Sequence, residues 1–536
     1  MAKARSDARR RGRHVTRSRA DLRRNPKRFR AALAALSALL SCPVWAAKWE
    51  VVPTLAVGET YSDNISLAPD ASKRGDWFTQ VTPGISVAAA GTGLRFNATY
   101  NPEVIYYAHG QSENQIFQRG TAAGTAELSK QLLFVDVGAK IDQYDVSLLA
   151  PLTTSNGNTT GNRATVRTYF ASPYLRRDFG SDLHAEARFT ESAVNSDNPS
   201  AISNGSSPLS NSAAQRVDLN LRSGPAYKLL TWNADYSREA INYTNAQDTV
   251  SEIITASGRR LITATVGLVA QVGYESYDFG AFVPASEGSS WSAGFDWTPS
   301  PRTRLKVTAG RRFYGDAYLL DFSHRTRRTT WSAGFTQSIT STRSEFFVPV
   351  TASTAGYLDT LFMSQFPDPV ARQKAVDAFI ARTGLPPGLS APINFFSSQL
   401  FLVKRWQASA GILGVRNVLI ANVFKETREG LVGSFVLPGA GDFATNKNVD
   451  QTGMSVQWNL RLTAQDTWNL NGAYIRNEFP GTGQVDNLTH VEMGLARQFQ
   501  PRLYGSLNYR RHQNDSNQTG SSFTENAVLA KLQIRF

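Results

Sequence analysis

The stretch TGMSVQWNLRLTA, residues 452–464, puts Met454, Val456, Trp458, Leu460 and Leu462 on one face and Ser455, Gln457, Asn459, Arg461 and Thr463 on the other. A strict period of two belongs to a strand with one apolar and one polar side. The same alternation recurs in QRVDLNLRSG, where Val217, Leu219 and Leu221 oppose Arg216, Asp218, Asn220 and Arg222. It recurs again in TRLKVTAGRRF, with Leu305, Val307 and Ala309 against Arg304, Lys306 and Thr308. The closing stretch AVLAKLQIRF alternates Val528, Ala530, Leu532, Ile534 and Phe536 with Lys531, Gln533 and Arg535. A chain of this kind folds as sheet, and the question is which medium each face meets.

The connections narrow the choice. Short turns are expected at AGTGL (90–94), DFGSD (178–182), SGRR (257–260), TPSPRT (298–303), TSTRS (340–344), GVRN (414–417), AQDT (464–467) and QPR (500–502). Between them run longer polar links, among them SLLAPLTTSNGNTTGNRA, NSDNPSAISNGSSPLSNSAAQ, LPGAGDFATNKN and RRHQNDSNQTGSSFTEN. Short turns at one end and long loops at the other are the layout of an outer-membrane barrel. The marks predict an all-β fold, a large transmembrane antiparallel β-barrel of roughly 22 strands, with both termini at the short-turn end. WSAGFDWT (291–298) and WSAGFTQS (331–338) suggest two similar hairpins. Aromatics near strand ends, such as Trp49, Tyr61, Trp77, Trp297 and Trp468, suit interfacial girdles.

Charge and export fit this reading. Thirteen Lys and Arg fall within residues 1–30 against Asp7 and Asp21, so the leader carries most of the formal charge of +14. The basicity is therefore no sign of nucleic acid. AALAALSALLSCPVWAA follows, an apolar run too short to span a bilayer, ending in small residues with Val44 and Ala46 at the −3 and −1 positions of a cleavage site. Residues 1–46 read as a secretory signal with an extended basic region, and 47–536 as the barrel. Cys42, the chain's one cysteine, lies in the leader, which excludes a disulfide scaffold and a cysteine nucleophile. Strand-like sequence begins soon after Ala46, which argues against a TonB-dependent receptor with its plug domain.

One segment departs from the pattern. Residues 344–398 contain a predicted helix with Asp368 as N-cap, Pro369 at its first position, Gly384 at its end, and Val370, Val376, Phe379 and Ile380 as an apolar stripe. It falls in a long-loop connection, so it caps the mouth or enters the lumen.

The first hairpins carry a more specific signal. ETYSDNI, the strand with Thr82-Pro83-Gly84-Ile85, and the aromatic strand through Tyr100-Asn101-Pro102 resemble the PEP-CTERM system-associated outer-membrane barrel family. The resemblance covers about the first sixty mature residues. It implies an outer-membrane protein of a Gram-negative bacterium near exosortase and exopolysaccharide machinery, and supplies no functional residues.

For function, apolar strand faces should meet lipid and polar ones the lumen. The lumen-lining candidates are Arg304, Lys306, Arg461, Gln457, Lys531, Gln533 and Arg535, a cationic lining that would favour anionic solutes unless inward carboxylates pair with it. Phe536 is the candidate assembly signal. The expected partners are outer-membrane lipid, the outer-membrane assembly machinery and polysaccharide export proteins. No catalytic, cofactor or metal residues are assigned. The six histidines have no metal-ligand spacing; His490 and His512, with Asp486 and Asp515 nearby in sequence, are the weak exception. The reading is a channel or export component; the alternative is a non-conducting structural or polymer-binding surface barrel.

Overall fold

The computed structural model describes residues 47–110, 112–197, 209–279, 286–347, 358–359, 361–363, 372, 375–376, 396–431, 442, 446 and 448–536. Residues 1–46 lie outside these, and so do Asp368, Pro369, Val370, Phe379, Ile380 and Gly384 of the predicted helix.

The strands follow one another in antiparallel order. The first are β1 (Lys48–Ser62), β2 (Asp76–Ala90), β3 (Leu94–Tyr100), β4 (Glu103–Tyr107), β5 (Gln115–Phe117) and β6 (Gly120–Ser129). Next come β7 (Leu133–Asp145), β8 (Arg163–Phe179), β9 (Leu183–Asp197), β10 (Ser212–Ser223), β11 (Leu230–Tyr243) and β12 (Thr249–Leu261). Then follow β13 (Val266–Asp278), β14 (Ser286–Ser300), β15 (Thr303–Arg312), β16 (Gly315–Arg325) and β17 (Thr329–Ser341). A short helix α1 (Thr342–Phe347) precedes β18 (Leu400–Leu413) and β19 (Asn417–Gly430). The last are β20 (Asn448–Arg461), β21 (Asp466–Phe479), β22 (Gln484–Gln500), β23 (Leu503–Ser516) and β24 (Phe523–Arg535).

β3 and β4 both pair with β2, and β5 and β6 pair with β4 and β3, so each couple is one interrupted stave. The barrel has 22 staves and is closed. β1 pairs with β24 from Thr54↔Arg535 to Ser62↔Ala527, which removes the free edge. The break between β3 and β4 falls at Asn101-Pro102, where proline has no N–H for the ladder. Gly84 makes room for that break: a Cβ there would lie 2.3 Å from Asn101 Oδ1. The glycine of the Thr-Pro-Gly-Ile strand thus has a steric reason.

Large apolar side chains cover the outside, for example Leu268, Val272, Trp406, Met454 and Leu532, all exposed. Tyr61 and Trp77 pack at a tilt, ring centroids 5.2 Å apart, at the long-loop end, and Trp458 and Trp468 meet edge to face at 5.0 Å at the short-turn end. Trp406 lies in mid-strand, so the aromatics do not all keep to the rims.

Four sequence expectations are corrected. SGRR (257–260) lies inside β12, and the turn comes after Leu261, because Ser257 to Arg260 continue the ladder with β13. TSTRS (340–344) is the end of β17 and the start of α1, at the long-loop end. The WSAGF echo is no hairpin repeat: β14 runs into the short turn at 301–302, whereas β17 leaves one at 326–328 and runs the opposite way. The polar link at 510–526 is also mostly strand, leaving a loop of 517–522 between β23 and β24.

Candidate functional site: the lumen

Two long-loop segments fold inward rather than out into solvent. The first joins β7 to β8. Asn162 closes it on itself, its Nδ2 donating to the Ser147 carbonyl at 2.8 Å and its Oδ1 accepting the Ser147 amide at 3.0 Å. From there it crosses the lumen. Leu148 and Leu152 pack against Phe424, Val449, Ile475, Phe479 and Leu488 of β19 to β22. The Leu152 carbonyl meets His512 Nε2 at 3.0 Å, and Asn158 Nδ2 donates to Glu525 at 2.8 Å. Ser62 Oγ donates to the same carboxylate at 2.7 Å. Gly157 sits flat on Phe78, where a Cβ would come within 2.2 Å of the ring, and its carbonyl accepts the Tyr107 hydroxyl at 3.1 Å.

The second segment joins β17 to β18. Its first turn, α1, reaches across to the opposite wall. Arg343 is buried and donates to Ser212 Oγ at 3.0 Å, Ser192 Oγ at 2.7 Å and the Ser192 carbonyl at 3.1 Å, with Glu239 at 3.4 Å. Phe346 enters an apolar cluster with Val146, Ala164, Val166, Val194, Leu209 and Phe396. Glu345 meets Arg428 of β19 at 3.5 Å, and Arg428 also holds Glu426 at 2.6 Å. Burial pushes the Glu345 carboxyl above the ordinary range, and Arg428 partly offsets this.

Further along, helical residues Leu358, Leu361, Phe362 and Val376 cover Leu413, Val418 and Ile420. Those wall residues lie at the ends of β18 and β19 next to the short turn at 414–416. Described residues of the insert therefore lie at both the long-loop end and the far, periplasmic end of the lumen. An inner wall facing water would not carry three contiguous aliphatic residues; here they form a dry seal.

The two segments also hold each other, the Phe396 amide donating to the Val146 carbonyl at 2.9 Å. The β9–β10 connection adds a further tie, its Ser210 amide donating to Ser398 Oγ at 2.9 Å. Asp442, between β19 and β20, accepts Ser147 Oγ at 2.6 Å and the Leu148 amide at 2.8 Å. Its carboxyl is raised to about 6 by burial, against those two hydrogen bonds.

The inner wall is strongly polar. Gln457 and Asn459 are buried there, opposite Asn471 and Asn469 in register. Most inward arginines meet a carboxylate: Arg259 with Asp296 at 3.0 Å, Arg312 with Glu275 at 2.5 Å, Arg188 with Asp136 at 2.7 Å, Arg510 with Glu525 at 3.1 Å. Lys306 lies in register between Asp296 and Asp321. Arg304 is on the same face, near the short turn, with no ion pair among the described residues. Arg461 reaches the Val415 carbonyl at 3.1 Å at the periplasmic rim. Lys531, Gln533 and Arg535 alternate on β24 with exposed Val528 and Leu532 and share the face of buried Glu525. Phe536 is exposed, its amide donating to the Pro53 carbonyl at 3.0 Å.

His490 and His512 are directly opposite in register, ring centroids 5.9 Å apart. Asp486 shares a hydrogen bond with Gln484, and Asp515 with Gln513, so neither carboxylate serves these rings. Sequence reasoning missed the β7–β8 plug. Its one signal was Leu148, Leu149 and Leu152 within an otherwise polar loop.

Comparison with known proteins places these features in context. A family described as "Putative beta-barrel porin 2" matches residues 444–536, which span β20 to β24. No curated protein matches the chain. Among solved structures, the ferric-catecholate import receptor Fiu of E. coli K12 in its open form is similar, with TM-score 0.47, 9% identity, 90% of this chain and 81% of that chain covered. The FrpB iron transporter of Neisseria meningitidis (F5-1 variant) gives 0.38 at 9% identity, with 90% and 82% covered. OccAB2 of Acinetobacter baumannii gives 0.33 at 9% identity, with 91% and 98% covered. A closed barrel with an apolar outer belt and a porin-type C-terminal region is a protein of the Gram-negative outer membrane.

Proposed function

We propose that this porin-like barrel is a gated conduit, shut at rest by its β7–β8 loop and its β17–β18 insert. The observation that carries the reading is the aliphatic patch Leu413, Val418 and Ile420 on the inner wall, covered by Leu358, Leu361, Phe362 and Val376. A wall built to meet a removable plug explains apolar residues where water would otherwise stand. The test is conductance in planar bilayers. The full chain should open rarely, and deletion of 350–392 should give sustained current. A deletion variant as closed as the parent sinks the conduit reading.

The finer assignment is export of extracellular polysaccharide with partner proteins. Two features support it: the resemblance of residues 49–110 to barrels found with exosortase systems, and the amide-rich inner wall at Gln457, Asn459, Asn469 and Asn471. Amides can donate and accept toward hydroxylated polymer without a fixed charge. Loss of surface polysaccharide in cells lacking the protein, restored by the intact chain, is the expected result.

A second reading, a non-conducting surface barrel, draws support from the direct bonds between the two plugs, such as Phe396 to Val146. The same bilayer experiment separates the two. We read the barrel as non-enzymatic, since His512 is committed to the Leu152 carbonyl of the plug. Outer-membrane lipid surrounds the apolar belt in this reading. Phe536 is the proposed residue for the assembly machinery, and Phe536→Ala should lower the amount of inserted barrel in membrane fractions.

A further inference from the structure

One stretch of the lumen gathers several cations without a paired carboxylate among the described residues. At the periplasmic end a cavity of about 690 Å³ opens among the turns that join β12 to β13, β14 to β15 and β16 to β17. Arg302, Arg304 and Arg325 line it, with the hydroxyls of Thr265, Ser300 and Ser323. No carboxylate does.

Register brings the charges together. Arg304 is opposite Ser323, and Arg325 lies two residues further along the same strand and on the same face. Such diagonal neighbours lie roughly 7–8 Å apart. Arg302 sits in the turn between β14 and β15. Among the described residues none of the three has an ion pair. Of the inward acids on these strands, Asp296 is held by Arg259 at 3.0 Å, and Asp321 is the cross-strand register partner of Lys306, outside the cavity's lining. Other inward arginines are neutralised one by one, as at Arg312–Glu275 near the long-loop end and Arg188–Asp136. Three guanidinium groups around one cavity with no counter-charge in its lining repel one another, and an anion between them removes that cost.

We infer that this periplasmic vestibule binds a soluble anion of sugar size, carrying phosphate or carboxylate, which arrives from the periplasm. Guanidinium forks match both groups with paired hydrogen bonds, and the surrounding hydroxyls suit a polyhydroxylated body. The volume falls in the range of small-molecule sites, roughly 300–1,000 Å³. Met363 of the insert lines the same cavity, so the bound anion sits against the plug. The inference goes beyond gating, because binding is read on the closed protein and needs no current.

The experiment uses the full chain in phosphatidylcholine nanodiscs. Inorganic pyrophosphate and digalacturonate are titrated calorimetrically at low and at high salt. Both should bind, more weakly at high salt. Arg304→Gln with Arg325→Gln should weaken binding at least about tenfold, since charged hydrogen bonds are lost, and should flatten the salt dependence. Arg304→Lys with Arg325→Lys should retain part of the affinity, and Arg176→Gln, far from the cavity and paired with Glu186, should change nothing. Heat-modifiable electrophoretic mobility reports that each variant is a folded barrel.

Absence of binding for both probes, or an affinity unmoved by the double glutamine variant, overturns the assignment. A last arm replaces part of the phosphatidylcholine with phosphatidylglycerol. Probe binding that persists supports a soluble ligand. Probe binding that disappears identifies a lipid headgroup as the occupant and also overturns it.

Discussion

Glu345 in α1 and Arg428 on β19 meet at 3.5 Å with both side chains shut away from solvent, which ties the insert to the wall through a charge pair inside the barrel. The pair is more informative as a fixing point than as a source of stability. Burying two charges costs nearly what their attraction returns, but removing one partner leaves the other stranded.

Glu345→Ala should therefore loosen the insert by about 2–4 kcal/mol, at or below the usual cost of breaking a buried pair because Glu426 still holds Arg428. Faster hydrogen exchange in α1, with β-strand amides unchanged, is the expected signature. A double-mutant cycle with Arg428→Met isolates the pair from the two single losses.

Docking of the β7–β8 loop onto Asp442 should depend on pH. The folded carboxyl is raised to about 6 from its ordinary 3.8, so the docked state holds its proton more firmly than the undocked one. Docking is then strongest below that ordinary value and is lost as pH rises through about 6, a change of about 3 kcal/mol. Exchange of the Leu148 amide, which donates to Asp442, measures it. Asp442→Asn should abolish the pH step, and a step that survives in this variant places its origin elsewhere.

The dry seal should be sensitive to polarity at the wall as well as at the plug. Ile420→Asn removes a fully buried aliphatic side chain and puts an unpartnered amide against Leu358 and Val376. A cost of about 2–4 kcal/mol is expected. Because the outer face of β19 is untouched, the barrel should still insert, and the effect should appear as more frequent openings in bilayers.

A covalent lock makes the converse case. The Ser210 amide and Ser398 Oγ are 2.9 Å apart, which brings the two positions within reach of a disulfide. Ser210→Cys with Ser398→Cys should hold the insert down under oxidising conditions. Any openings of the parent should vanish and return with reductant. Openings that are indifferent to redox state would show that the end of the insert near β18 does not move in gating.

Much of the barrel was legible in the chain because side-chain direction alternates residue by residue along a strand. Met454 and Val456 face out and Ser455 and Gln457 face in for a reason carried by adjacent residues alone. Pro102 likewise marks the break between β3 and β4 locally. Turn assignment failed where local signals conflict: Gly258 reads as a turn residue, yet strand pairing on both sides of β12 keeps it in the ladder. Direction was also beyond the pattern, and the two WSAGF strands run opposite ways in spite of their shared sequence.

The sequence by itself determined a closed, two-faced barrel with short periplasmic turns, since hydrophobic period and turn spacing are local properties. Only the tertiary structure decided which segments fold into the lumen. The bonds that hold them there join residues hundreds of positions apart, such as Leu152 with His512 and Asn158 with Glu525. It also decided which arginines are neutralised. Whether Arg312 finds Glu275 while Arg304 finds no acid depends on neighbouring strand register and on which loop folds over them, and neither is encoded within any one strand.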